Sequence, residues 1–82
     1  MPLIADGIDG WRLNRINAGV PFHVETIKYR PQYAHVRESN PQVCDARGTV
    51  ALSGPGGAVF CGTREQADRL CKLANDGMID RS

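Results

Sequence analysis

The clearest periodic pattern lies late in the chain, where Ala67, Leu70, Cys71 and Ala74 recur at i, i+3, i+4 and i+7. That spacing sets them on one stripe of a 3.6-residue repeat and predicts an amphipathic helix over residues 64–75. Thr63-Arg64-Glu65-Gln66 reads as its start, a capping box with Thr63 as N-cap and Gln66 reaching back from N3. Asn75-Asp76-Gly77 supplies the stop, with Gly77 free to take positive φ. On the polar side, Glu65–Arg69 and Asp68–Lys72 stand as i,i+4 pairs in the favourable orientation.

Elsewhere the pattern is that of strands and turns. Gln42-Val43-Cys44 leads into Asp45-Ala46-Arg47-Gly48, a type I turn closed by a left-handed glycine, and then into Thr49-Val50-Ala51-Leu52. Ser53 to Gly57 is a second reversal, followed by a short strand from Ala58 to Cys61. Upstream, Phe22 to Tyr29 is β-branched and aromatic, Pro31 interrupts it, Tyr33 to Arg37 resumes the extended pattern, and Asn40-Pro41 turns. Trp11 and Leu13 alternate as in a strand, although the run is short. The expected fold is α+β: a small antiparallel sheet of four or five strands, with one C-terminal amphipathic helix packed on one face. The strand, turn, strand, capped-helix layout of 42–75 resembles the tails of many short bacterial and phage-encoded proteins, which implies an accessory role of that type.

Eighty-two residues suit one domain, read as 1–82 with flexible ends at 1–10 and 78–82. One core is within reach of such a chain, but not one that also encloses a large ligand cavity, which counts against a self-contained enzyme with a deep pocket. The net charge of +1 provides no global field toward nucleic acid or anionic lipid. No apolar run approaches the roughly 18 residues of a membrane span, and Asp6 and Asp9 stand where a signal peptide would be apolar. The three cysteines, Cys44, Cys61 and Cys71, are odd in number and widely spaced. Free, mostly buried thiols in the cytoplasm fit that usage better than a secreted disulfide framework.

Local charge departs from the near-neutral total. Between residues 11 and 37 lie five of the ten basic residues, Arg12, Arg15, Lys28, Arg30 and Arg37, against a single acid, Glu25. Four of the five aromatic residues, Trp11, Phe22, Tyr29 and Tyr33, share the window. Such a set forms protein-interface hot spots, and it also grips phosphate and stacks on bases in single-strand binders. The competing reading places Trp11 and Phe22 in the core, with the arginines on a solvated sheet face.

Three other chemistries are weaker. His23, His35 and the cysteines lack the C-x-x-C or H-x3–5-H spacing of a structural zinc site, so no metal or other cofactor is expected. Cys44 beside Asp45 with a distant histidine can be written as a thiol catalytic set, but Asp45 is better explained as a turn residue. Gly54-Pro55-Gly56-Gly57 lacks the lysine of a phosphate loop. Leu73, Met78 and Ile79 offer a small apolar patch for self-association.

The functional expectation is a non-enzymatic binding module with no catalytic residues and no small-molecule substrate. It acts through contact with another protein or a copy of itself, using Trp11, Arg12, Arg15, Lys28, Tyr29, Arg30, Tyr33 and Arg37. The alternative is nucleic-acid binding through the same basic and aromatic window.

Overall fold

A computed structural model describes residues 4–26 and 41–82. In chain order the elements are β1 (Ile4–Ala5), β2 (Arg12–Leu13), β3 (His23–Thr26), β4 (Pro41–Cys44), β5 (Leu52–Ser53), β6 (Phe60–Cys61) and α1 (Arg64–Asn75), with a 3-10 turn at Pro55–Gly57. The α+β class, with one α-helix among the described residues, is as the residue pattern predicts. Among the described residues the strands form three two-stranded sheets, β1–β6, β2–β5 and β3–β4. The β1–β6 pair is parallel, with Ile4 opposite Phe60 and Ala5 opposite Cys61. β1, β2, β5 and β6 are two residues long, and such strands pair over too short a distance to merge into one ladder. Tyr33 to Arg37, expected to be extended, lies outside the described residues.

The helix begins and ends where its caps place it. Thr63 Oγ1 accepts the Gln66 N–H at 3.1 Å. Gln66 departs from the standard box: its Oε1 accepts the Gly62 N–H at 2.9 Å, one residue upstream of the N-cap. Its Nε2 donates to the carbonyls of Ala5 and Gly7, so the same side chain ties the helix start to the N-terminal strand. At the other end, the Gly77 N–H donates to Ala74 O and the Met78 N–H to Leu73 O. The exposed ion pairs are Arg64–Asp68 and Lys72–Asp76, not Glu65–Arg69 and Asp68–Lys72. Each is worth only about 0.3–0.5 kcal/mol, so the difference matters little.

The stripe of α1 faces β3, β4 and β6. Ala67, Leu70 and Ala74 join Trp11, Phe22, Val43, Ala51, Leu52 and Cys61 in one core, against which Ala5, Ile8, Leu13, Val24, Cys71 and Ile79 pack. Trp11 is 2% exposed and its Nε1 donates to Gly7 O at 3.0 Å. Gly54 lies against this ring so closely that a Cβ there would stand 2.7 Å from it, which a side chain does not tolerate. Residues 4–5 pair with β6, while Leu13 N–H donates to Asp80 O and Ser82 N–H to Leu13 O. No helix among the described residues is long and apolar enough to cross a membrane.

All three cysteines are free. Burial of Cys61 pushes its thiol from an ordinary value near 9 up to about 11. The folded state therefore favours the neutral thiol, and the stability this contributes is full below about pH 9 and lost as pH rises through about 11. Cys44 is raised to a similar value and adds to the same window. Chemical denaturation of wild type is expected to show its steepest alkaline loss there, and Cys61→Ala to show a smaller one. Equal pH profiles for the two proteins would contradict this assignment.

Candidate functional site

Asp45 organises one end of the molecule. Its side chain is 2% exposed and accepts three backbone N–H groups: Ala18 at 2.8 Å on Oδ2, and Arg47 at 2.9 Å and Thr49 at 3.0 Å on Oδ1. The last two build the turn after β4, where the Gly48 N–H closes on Asp45 O at 2.9 Å with Gly48 at φ 84°. The first reaches 27 residues back and pins the loop between β2 and β3. These bonds, that from Ala18 foremost, hold the carboxyl below its ordinary value.

The same loop is anchored at other points. The Asn14 N–H donates to Ala51 O and its Nδ2 to Val50 O, while the Ala46 N–H donates to Gly19 O. Asn17 caps the bend internally, its Nδ2 donating to Asn14 O and its Oδ1 accepting the Gly19 N–H. Val20–Pro21 is a cis peptide. What this scaffold holds outward is apolar: Ile16 is 91% exposed and Val20 63%. Beside them Ile16, Asn17, Ala18, Asp45, Arg47 and Thr49 line an open depression of about 360 Å3.

The residues singled out in the sequence divide three ways. Trp11 and Phe22 are buried in the core, so the reading of Trp11 as a surface ring is corrected: the ring belongs to the core cluster, lies against Gly54 and donates to Gly7 O. Arg12 and Arg15 are exposed, and neither forms an ion pair with another described residue. Lys28, Tyr29, Arg30, Tyr33 and Arg37 lie outside the described residues. Of the suggested apolar patch, Met78 is 70% exposed, whereas Leu73 is half-buried and Ile79 packs against the core.

A second constellation joins the other sheet pair. Antiparallel β3 and β4 place His23 opposite Cys44 and Glu25 opposite Gln42, so all four side chains belong to one face. His23 Nε2 lies 2.8 Å from Glu25 Oε2, and the ligand atoms of His23, Glu25 and Cys44 all fall within 4.8 Å of one another. The His23 and Glu25 side chains are 46% and 41% exposed, while Cys44 is fully buried and outside the main core cluster. Gln42, 4% exposed, donates its Nε2 to Cys44 Sγ at 3.6 Å. The hydrogen bond to His23, and then that from the Cys44 thiol, holds Glu25 below its ordinary value. Burial pushes the Cys44 thiol up to about 11.

Sequence spacing misses this cluster because zinc motifs are sought as close pairs on turns. Here the signal is H-x-E on one strand, which period two puts on a single face, completed by a cysteine 19 positions beyond Glu25 on the paired strand. No protein-family model, curated protein or solved structure matches the chain.

Proposed function

We propose that the chain is a non-enzymatic binding module that contacts another protein through the loop of residues 14–21. One observation carries the reading: Ile16 stands 91% exposed on a loop whose backbone is tied at Asn14, Ala18 and Gly19. A floppy loop shows apolar side chains in passing. A pinned one presents them in a fixed arrangement, which lowers the ordering cost of binding. Val20 extends the apolar surface, and the exposed Arg15 and Arg47 flank it. An apolar patch edged with arginine suits a protein surface that is apolar at its centre and carries carboxylates at its rim.

The chemistry of the second cluster supports the non-enzymatic side of this reading. A thiol nucleophile works as the thiolate, beside an imidazole that takes its proton. Cys44 titrates well above neutral pH, and its hydrogen bond goes to Glu25. Free thiols at positions 44, 61 and 71 suit the cytoplasm, where they stay reduced.

The test compares wild type with the double variant Ile16→Asp, Val20→Asp, by mass in solution and by recovery of partners from a native lysate. Burying an isoleucine side chain contributes about 1.5–3 kcal/mol, so its loss should weaken the contact roughly 10- to 100-fold. The expected result is a partner, or a second copy of the chain, that wild type holds at raised salt and the variant loses. The nucleic-acid alternative retains exposed Arg12 and Arg15 from its basic set. It predicts oligonucleotide binding that collapses with salt and ignores Ile16 and Val20. That outcome would overturn the protein-contact reading.

A further inference from the structure

We infer that His23, Glu25 and Cys44 form a binding site for a zinc-class divalent cation that staples β3 to β4. This goes beyond the protein-contact reading and does not depend on it, since no residue of the 14–21 loop takes part.

His23 and Glu25 are two apart on β3 and share a face, and the register sets Cys44 directly across from His23. One imidazole nitrogen, one carboxylate oxygen and one sulfur thus converge within 4.8 Å, the only group of three or more metal-ligating side chains among the described residues. Around tetrahedral zinc, bonds of ~2.0–2.3 Å hold ligand atoms ~3.3–3.8 Å apart. The 2.8 Å His23–Glu25 separation and the 4.8 Å limit bracket that range. Adjustment falls to His23 and Glu25, whose half-exposed side chains have room to move, while Cys44 stays fixed inside.

Donor chemistry selects the metal. Sulfur and imidazole nitrogen favour a borderline-soft ion over magnesium or calcium, which prefer oxygen throughout. Binding moves the Cys44 thiol proton to solvent as the sulfur–metal bond forms, and the proton that His23 Nε2 shares with Glu25 transfers through solvent to Nδ1, freeing the Nε2 lone pair for the ion. Gln42 gives independent support. It is a buried amide whose N–H2 is aimed at the sulfur, and a ligand thiolate would accept that hydrogen bond better than a thiol does. Beside it, Gly48 brings bare backbone toward the carboxylate, where a Cβ would stand 3.3 Å from Glu25 Oε2.

The test uses the intact chain, stripped with a chelator and titrated calorimetrically with Zn2+ or Mg2+, with Co2+ as a spectroscopic probe. The expected result is one Zn2+ per chain, no heat with Mg2+, and a near-ultraviolet thiolate-to-cobalt band. Cys44→Ser removes the band, but the site is buried and that variant can fail to fold. His23→Ala and Glu25→Gln, on exposed side chains, are therefore the decisive pair, with native circular dichroism as the folding check. Each should weaken Zn2+ by more than the 10- to 100-fold that loss of an outer-shell partner costs. Cys71→Ser should leave stoichiometry and band unchanged. Absence of stoichiometric Zn2+ binding, affinity in both His23→Ala and Glu25→Gln equal to wild type, or a band that follows Cys71 would each overturn the site.

Discussion

Asp45→Ala is expected to melt at least about 10 °C below wild type, because three backbone donors lose the buried carboxylate they share. Asp45→Asn separates the two jobs of the carboxylate. Its Oδ1 still accepts from Arg47 and Thr49, so the turn after β4 survives. Its amide N–H2 now meets the Ala18 N–H, donor against donor, and the 14–21 loop is released. This variant should melt between wild type and Asp45→Ala, and it should lose partner capture although Ile16 and Val20 are untouched. Acid supplies a further check. The carboxyl is held below its ordinary value of 3.8, so its contribution is present above that pH and is lost as pH falls through the lower folded value. Melting curves taken from about pH 6 to about pH 2.5 should show this acid limb in wild type and not in Asp45→Asn. An Asp45→Asn protein with wild-type stability and full capture would show that the loop needs no such anchor.

Trp11→Ala is expected to cost about 3–5 kcal/mol, a large share of the roughly 5–15 kcal/mol a domain has to lose. The ring is 2% exposed, packs against Gly54 and donates to Gly7 O, so truncation empties a central volume and leaves Gly7 O with Gln66 Nε2 as its remaining donor. Trp11→Phe keeps most of the volume and loses the hydrogen bond, for a smaller penalty of about 0.5–1.5 kcal/mol, since Gly7 O keeps its bond from Gln66 Nε2. Urea denaturation followed by circular dichroism reads both changes. In wild type the chain's single tryptophan reports its own burial, with emission that shifts to the red on unfolding. If Trp11→Ala left the denaturation midpoint in place and abolished partner binding, the ring would belong to an interface and not to the core.

These two residues mark how far the sequence could be read. Asp45 is legible as a turn residue, because Asp at the start and Gly at the end of a four-residue loop is local chemistry. Its grip on Ala18 is not legible, since that bond joins positions 27 apart. Trp11 in a window of arginines looks the same on paper whether it faces water or the core. The His23, Glu25 and Cys44 cluster depends on the pairing of β3 with β4, which no local pattern specifies.

What the sequence determined by itself is the helix with its caps, the Asp45–Gly48 turn and the α+β class. Each rests on interactions between residues a few positions apart, and those are written in spacing and residue type. Tertiary structure alone decided that Trp11 is core, that Ile16 and Val20 stand out on a pinned loop, that the strands among the described residues pair two by two, and that His23, Glu25 and Cys44 meet. All of these depend on which distant segments come together, a choice made by the burial of the whole chain and not by any stretch of it.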